Sequence, residues 1–128
     1  MSKTIIVSET GVFHDTLNKV LAETAKKIFV TFVSTKNADG TFWCPDCQRS
    51  DPVLNKVFNE NGSTVIECVI PREGYKGNPE HPYRTDSQIQ LKCIPTLIAW
   101  SKDGPADRLI DADCANEELV TKFIKSHQ

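Results

Sequence analysis

The feature that most constrains this chain is a pair of cysteines separated by two residues, in the run TFWCPDCQ at 41–48. An apolar, β-branched run at 28–33 lies upstream and predicts a buried strand, and a helical pattern extends downstream to about residue 61. A dithiol at the start of a helix that follows a strand is typical of proteins that exchange thiols and disulfides. We therefore expect a redox-active cysteine pair here.

The position of each cysteine predicts its role. Disulfide exchange needs one thiolate that attacks and a second thiol that resolves the mixed disulfide. Pro45 suits the first position of a helix, so the free amides and the positive dipole end face Cys44 and stabilise its thiolate. Asp46 opposes this effect, because a nearby carboxylate disfavours a second negative charge. We expect Cys44 to be the nucleophile and the deeper Cys47 the resolving thiol, and the pair to form the redox-active disulfide.

Two other uses of these cysteines are disfavoured. A structural zinc site takes about four ligands, whereas the other cysteines and the histidines are scattered and no second CxxC occurs. A structural disulfide is uncommon in a chain without an export signal. We therefore expect no metal and no other bound cofactor. Cys68, in a predicted strand, is expected to be an inert core thiol.

Composition indicates one ordinary globular domain over residues 1–128, because 39% of the residues are hydrophobic and 25% are charged. The net charge of −2 gives no reason to expect nucleic acid or an anionic membrane as a partner. No stretch approaches membrane-spanning length, and the N-terminal apolar run is too short for a signal peptide. With an odd number of cysteines and no secretion signal, we expect a cytoplasmic protein. We also expect a monomer.

The hydrophobic pattern predicts an α/β chain with a mixed central sheet and helices on both faces. Pro52 lies inside one predicted helix and should kink it. In order, we expect a strand at 4–7, a helix at 11–27, a strand at 28–34, a helix at 45–61, a strand at 64–70, a loop at 71–82, a short helix at 83–91, a hairpin at 96–111 and a terminal helix.

This order, the WCPDC motif and the IPT tripeptide at 94–96 resemble the thioredoxin superfamily over essentially the whole chain. Within it, the loop STKNADG at 34–40 followed by WCPDC resembles the thioredoxin domain-containing protein 17 family. The resemblance implies a thioredoxin fold and a cis peptide bond before the proline. It also implies that substrate contacts come from Trp43, Pro45, Asp46, Ile94 and Pro95.

The same resemblance implies a protein-disulfide reductase that acts on small or selected protein disulfides. Its electrons would come from NADPH through thioredoxin reductase, which is thus the expected partner. Two alternatives stay open. One is a glutaredoxin-like reductase coupled to glutathione, and the other is a redox-gated adaptor that binds a partner through the loop at 71–87 without turnover.

Thr31 departs from the thioredoxin pattern, in which a buried aspartate lies beneath the dithiol at the corresponding position. Threonine cannot accept a proton at neutral pH, so Cys47 would need another group, a water or Asp46 as its base. We therefore expect slower resolution of mixed disulfides than in a general thioredoxin. Cys93, two residues before Pro95, should lie near the site as a bystander or as a source of intermolecular disulfides.

Overall fold

A mixed five-stranded sheet with helices on both faces forms the centre of the molecule, in a computed structural model that describes residues 2–128. Short 3-10 helices precede the first α-helix and follow the last strand. The elements are β1 (Lys3–Val7), α1 (Phe13–Ala22), β2 (Ile28–Ser34), α2 (Pro45–Asn61), β3 (Thr64–Ile70), α3 (Pro82–Thr85), β4 (Thr96–Ser101), β5 (Gly104–Ile110) and α4 (Glu117–Ser126).

The strands are ordered β1-β3-β2-β4-β5 across the sheet. The pairs β1–β3 and β3–β2 are parallel, whereas β2–β4 and β4–β5 are antiparallel. All seven residues of β2 are buried, which explains its almost continuous apolar sequence, because a central strand of such a sheet is covered on both faces. The mixed sheet predicted from the sequence is confirmed.

Two hydrophobic clusters pack on opposite faces of the sheet. On one face, α1 and the segment that leads to β4 contribute Phe13, Leu17, Tyr83, Ile89 and Leu91. On the other face, α2 and α4 contribute Leu54, Val57, Phe58, Val120, Phe123 and Ile124. The apolar side of α2 packs on this second face of the sheet, and its first turn lies at the end of β2.

A proline and a glycine mark the two ends of α2. Pro45 occupies the first helical turn, and Cys44 is the N-cap with an extended backbone, at φ −100° and ψ 115°. Gly62 ends the helix at φ 61°, a left-handed conformation that glycine adopts without steric cost. Pro52 lies inside the helix, as expected.

Helix α1 is shorter than the helix expected at 11–27. Its predicted first turn is a 3-10 helix, and the α-helix ends at Ala22. Thr24 Oγ1 accepts a hydrogen bond from Lys26 N at 3.1 Å. Such a local bond between side chain and backbone competes with the continuation of a helix.

The helix expected at 83–91 is reduced to the single turn of α3. Asp86 Oδ1 accepts hydrogen bonds from the backbone N–H groups of Gln88 at 2.9 Å and Ile89 at 3.1 Å. Aspartate stabilises turns in this way, and the chain therefore leaves the helix at this residue.

Candidate active site

The two cysteines of the WCPDC motif lie at the junction between β2 and α2. Cys44, at the N-cap, keeps 8% of its surface exposed, whereas Cys47, in the first turn, is completely buried. The backbone N–H groups of the first helical turn have no partner within the helix, so Cys44 lies at the positive end of the helix dipole, although its side chain makes no capping hydrogen bond. The relative exposure of the two cysteines agrees with the prediction that Cys47 is the deeper one.

Ser34, the last residue of β2, connects the strand to both cysteines. Its Oγ accepts a hydrogen bond from Cys44 N at 3.4 Å, and it also lies within hydrogen-bond reach of Cys47. Burial, opposed in part by Ser34, raises the pKa of the Cys47 thiol far above its ordinary value, and the adjacent Cys44 sulfur raises it further. Cys47 is therefore a protonated thiol at rest, and it must lose its proton before it can attack a mixed disulfide.

The loop before β4 forms the second wall of the site. The Ile94–Pro95 peptide bond is cis, the isomer that the resemblance implies. Cys44 Sγ lies 3.7 Å from the Ile94 carbonyl oxygen. Thr96 Oγ1 donates to the Cys93 carbonyl oxygen at 2.7 Å and tightens the turn. The outer thiol therefore faces a stretch of backbone whose position is set by its own hydrogen bonds.

Trp43 is half-buried beside Cys44, and two hydrogen bonds fix its orientation. Its indole Nε1 donates to the Ile70 carbonyl oxygen at 2.9 Å, and its backbone N donates to the Thr35 carbonyl oxygen at 3.3 Å. The ring is therefore held in a fixed orientation and remains partly exposed. The substrate contact that the resemblance implies for Trp43 stays a prediction.

An acidic edge, which we define as Asp46 and Asp111, borders the dithiol. Asp46 forms an ion pair with Arg49 one turn along α2, and it shares a hydrogen bond with Asp111. This hydrogen bond raises the pKa of the Asp111 carboxyl, since a second negative charge so close to the first is disfavoured. Asp111 N donates to the Pro95 carbonyl oxygen at 2.8 Å. No local sequence signal pointed to Asp111, which reaches the site only through the β4–β5 hairpin.

Cys93 is half-buried and lies close enough to Cys44 and the acidic edge for their charges to affect its thiol. This position near the site was predicted from its place before Pro95. Burial raises the pKa of its thiol, and the two carboxylates of the acidic edge and Cys44 add to the effect. These surroundings make Cys93 a weaker nucleophile than a free thiol at neutral pH. Its proposed intermolecular disulfide stays a prediction.

The segment at 71–87 contacts the site through Tyr75, a contact that sequence reasoning missed. The Tyr75 ring lies 6.3 Å from the Trp43 ring and 5.2 Å from the His81 ring, measured between centroids. The Arg84 guanidinium stacks over it at 4.0 Å. These contacts hold the segment against the tryptophan, so the loop forms part of the rim of the site.

The two remaining cysteines, Cys68 and Cys114, are completely buried. Burial raises the pKa of each thiol to about 12. Cys114 Sγ donates to the Leu109 carbonyl oxygen at 3.4 Å and contacts the Pro95 carbonyl oxygen at 3.8 Å. Neither thiol reaches the surface, so neither is placed to attack a substrate.

Neither a metal centre nor a membrane-crossing helix is found in the range that the structure describes. Within residues 2–128, no three side chains from histidine, cysteine, aspartate or glutamate lie together in a way that could hold a metal ion. No helix in the same range is long and apolar enough to cross a membrane.

Thr31 lies in β2 on the face of the sheet that α2 covers, since Phe29, two residues earlier, packs in that cluster. Its side chain is 2% exposed, and its hydroxyl has no hydrogen-bond partner among the described residues. This is the position where thioredoxins, by the resemblance above, carry a buried aspartate. The chain therefore has no acid–base group at that place, and the proton of Cys47 must go elsewhere.

Comparison with known proteins places these features in a family. A family model described as "Thioredoxin domain-containing protein 17-like, thioredoxin domain" matches residues 9–126. Thioredoxin domain-containing protein 17 of Homo sapiens is 29% identical over 116 residues, which cover 89% of each chain. Thioredoxin-like protein Clot of Arabidopsis thaliana is 35% identical over 99 residues, which cover 75% of this chain and 74% of that protein.

Solved structures establish the fold. The reduced thioredoxin pre-protein of Schistosoma mansoni superposes with a TM-score of 0.65 at 18% identity, over 99% of this chain and 100% of the other. Thioredoxin NaTrxh of Nicotiana alata gives a TM-score of 0.66 at 17% identity, over 99% and 94% of the two chains. The fold is thus the thioredoxin fold, and the family supports a general thiol–disulfide oxidoreductase role. The chain belongs to the thioredoxin domain-containing protein 17-like family.

Proposed function

We propose that this chain is a disulfide reductase whose Cys44–Cys47 dithiol passes two electrons to small or selected protein disulfides. The observation that carries the proposal is the arrangement at the start of α2, where an outer N-cap thiol is followed by a buried thiol in the first turn. Helix N-termini favour the thiolate of an adjacent cysteine. A buried second thiol stays protonated until a mixed disulfide has formed.

The reaction follows from these two positions. The Cys44 thiolate attacks one sulfur of the substrate disulfide, and the other substrate sulfur leaves as a thiolate that takes a proton from solvent. Cys47 then loses its proton and attacks the Cys44 sulfur. The Cys44–Cys47 disulfide forms, the second substrate thiol leaves, and the dithiol has been oxidised by two electrons. NADPH, through thioredoxin reductase, supplies the two electrons that restore it.

The walls around Cys44 would bind the substrate. The Ile94 carbonyl oxygen faces the thiol, and the backbone before Pro95 would pair with an extended chain next to the substrate disulfide. Trp43 offers a partly exposed ring, and Pro45 is exposed at the start of α2. Asp46 follows Pro45 with a partly exposed carboxylate that forms an ion pair with Arg49.

The rim supports a preference for small or selected disulfides. The segment at 71–87 is held against Trp43 by Tyr75, and the acidic edge adds two carboxylates next to the WCPDC motif. A disulfide buried in a wide, flat protein surface would meet these walls before its sulfur reaches Cys44. A small disulfide or one on a projecting loop would not.

The test is the oxidation of NADPH in the presence of thioredoxin reductase, with cystine compared against a bulky protein disulfide. The Cys44→Ser variant removes the nucleophile, and Cys68→Ala serves as a matched control that removes a buried thiol away from the site. We expect rapid turnover of cystine by the unmodified protein and by Cys68→Ala, little action on the bulky substrate, and none by Cys44→Ser.

Absence of turnover with both substrates would contradict the proposed electron source. Activity that appears when glutathione and glutathione reductase replace thioredoxin reductase would instead support the glutaredoxin-like alternative. Redox-dependent binding of a partner to the segment at 71–87, without turnover in either system, would support the adaptor.

A further inference from the structure

The two edge strands of the sheet differ in how well they are protected from pairing with another chain. β5, at one edge, contains Pro105, Asp107 and Arg108, and its pairing with β4 includes a register shift. Prolines, charged side chains and bulges are features that keep an edge strand from pairing further. β1, at the other edge, has no proline or charge after Lys3, and its register with β3 is unbroken. β1 is therefore the edge to which a further strand can be added.

Ile6 lies on this less protected edge. Its side chain is 62% exposed, more than any other large hydrophobic side chain in residues 2–128. Its register partner on β3 is Glu67, so the two side chains project from the same face of the sheet. Val65, two residues earlier on β3, packs in the cluster under α2 and α4, which identifies that face. The isoleucine thus lies on the α2 face, at a part of the sheet that the helix leaves uncovered.

A cleft of about 470 Å³ lies between this edge of the sheet and one side of α2. We call it the edge cleft, and its apolar wall consists of Ile6, Val69 and Phe42. Val69 and Phe42 are partly buried and pack against the hydrophobic core. The volume lies within the usual range for ligand-binding pockets, about 300–1,000 Å³. The described residues that line the edge cleft include no cysteine, so the cleft is separate from the dithiol.

The charged groups of the edge cleft favour a positively charged occupant. Asp51 on α2 and Glu67 both line it, and neither carboxylate forms an ion pair within residues 2–128. Burial raises the pKa of the Glu67 carboxyl, and the Asp51 carboxylate adds to the effect, while Lys36 opposes it. The Lys36 ammonium lies 5.3 Å over the Phe42 ring. With two carboxylates against one ammonium, an incoming cation would be attracted to the edge cleft.

We propose that β1 and the edge cleft bind an extended segment of a partner protein that carries an arginine or lysine among aliphatic residues. The backbone of the segment would add to β1 as a sixth strand, which gives affinity, while the cleft selects its side chains. Adjacent strands lie about 4.8 Å apart, so the segment would lie about 10 Å from β3. A basic side chain is long enough to lay its aliphatic stem over Ile6 and bring its charge towards Glu67 and Asp51.

The test measures the binding of a defined peptide by fluorescence anisotropy. The probe is a labelled peptide of about ten residues in which arginine and valine alternate with threonine, so that one side of the extended chain is basic and aliphatic. A second peptide has glutamate in place of each arginine, and a third is methylated on every backbone nitrogen and cannot donate to a strand. We expect the arginine peptide to bind at least about tenfold more tightly than either of the others.

Variants of the edge cleft test the same proposal from the side of the protein. We expect Glu67→Gln to weaken binding of the arginine peptide about tenfold, whereas Glu60→Gln, an exposed change on α2 with the same effect on net charge, should not. Ile6→Thr should weaken it about fivefold, whereas Val12→Thr, an exposed change outside the edge cleft, should not. Hydrogen exchange of the backbone amides in β1 should slow when the peptide is bound.

Each further outcome decides between this proposal and another. Equal affinity for the arginine and glutamate peptides, or affinity unchanged in folded Glu67→Gln and Ile6→Thr proteins, would overturn it. Reversible dimerisation that Ile6→Thr abolishes, without peptide binding, would also overturn it and assign the edge to a second copy of the chain. The proposal does not depend on the reductase function. Cys44→Ser, which should abolish turnover, should bind the arginine peptide normally, and a loss of binding in that variant would contradict the separation of the two sites.

Discussion

Cys44 and Cys68 belong to the same hydrophobic cluster, yet their surroundings give them different chemistry. Cys44 is the N-cap of α2, the end of the helix where backbone amides are free, and 8% of its surface is exposed. Cys68 lies inside β3, completely buried, and burial raises the pKa of its thiol to about 12. Contact with the hydrophobic core therefore does not decide how reactive a cysteine thiol is. The helix terminus and the path to solvent decide it.

The largest effect expected from this comparison is a difference in alkylation. A thiol with a pKa of about 12 is ionised to about one part in 10⁵ at pH 7. Cys44 should therefore react with iodoacetamide about 10³-fold faster than Cys68 or Cys114 in the native protein. Peptide mass spectrometry over a time course measures the three rates. Similar alkylation rates for Cys44 and Cys68 would contradict the idea that the helix terminus and the path to solvent make Cys44 the more reactive thiol.

The second prediction concerns the contribution of Cys68 to the stability of the fold. The Tyr83 hydroxyl hydrogen-bonds the Cys68 sulfur, and Cys68→Ala leaves this buried group without a partner. We expect a loss of about 1–3 kcal/mol in the free energy of unfolding, measured by denaturant titration, with unchanged turnover under native conditions. If turnover fell as it does in Cys44→Ser, Cys68 would have to belong to the active site.

The third prediction concerns the contribution of Trp43 to substrate binding next to Cys44. Trp43→Ala removes both the ring beside Cys44 and the hydrogen bond to the Ile70 carbonyl oxygen. We expect a decrease of about tenfold in kcat/KM for cystine, since the substrate loses a positioning surface. Trp43→Phe keeps a ring and should lose less. Steady-state kinetics of both variants measure this, and an equal loss in the two would assign the effect to the hydrogen bond alone.

The smallest effect expected is a pH dependence of stability at Glu67. The pKa of its carboxyl is raised in the folded protein, mainly by burial. The folded state then binds more protons than the unfolded state, so stability falls as pH rises from the usual glutamate pKa to the raised one. Glu67→Gln should therefore gain thermal stability relative to the unmodified protein as pH rises over that interval. A relative loss over that interval would contradict the raised pKa.

The parts of the fold that could be predicted from sequence are those with local causes. The buried β2 follows from an unbroken apolar run, and both ends of α2 follow from Pro45 and Gly62. The two cysteines and the loop before Pro95 are close because the order of elements already brings these chain segments to one end of the sheet. Local chemistry therefore accounts for most of the dithiol itself.

The remaining parts depend on contacts between distant residues. The pairing of Asp46 with Asp111 arises only after the β4–β5 hairpin has folded back to the dithiol. Glu67 faces Thr31 because of the register of a parallel pair, which no tight turn sets. His14 pairs with Asp86 at 2.6 Å across 72 positions of sequence. None of these contacts leaves a periodic or local signal in the sequence.

The most direct test of the assigned roles uses the Cys47→Ser variant, in which the second step cannot occur. After exposure to cystine, intact-mass and peptide mass spectrometry should find one half-cystine per chain, attached to Cys44 and stable until a reductant is added. The same treatment of the unmodified protein should yield the Cys44–Cys47 disulfide and no adduct. An adduct carried mainly by Cys93, or a variant that still completes turnover, would contradict the assignment of Cys44 as nucleophile and Cys47 as resolving thiol.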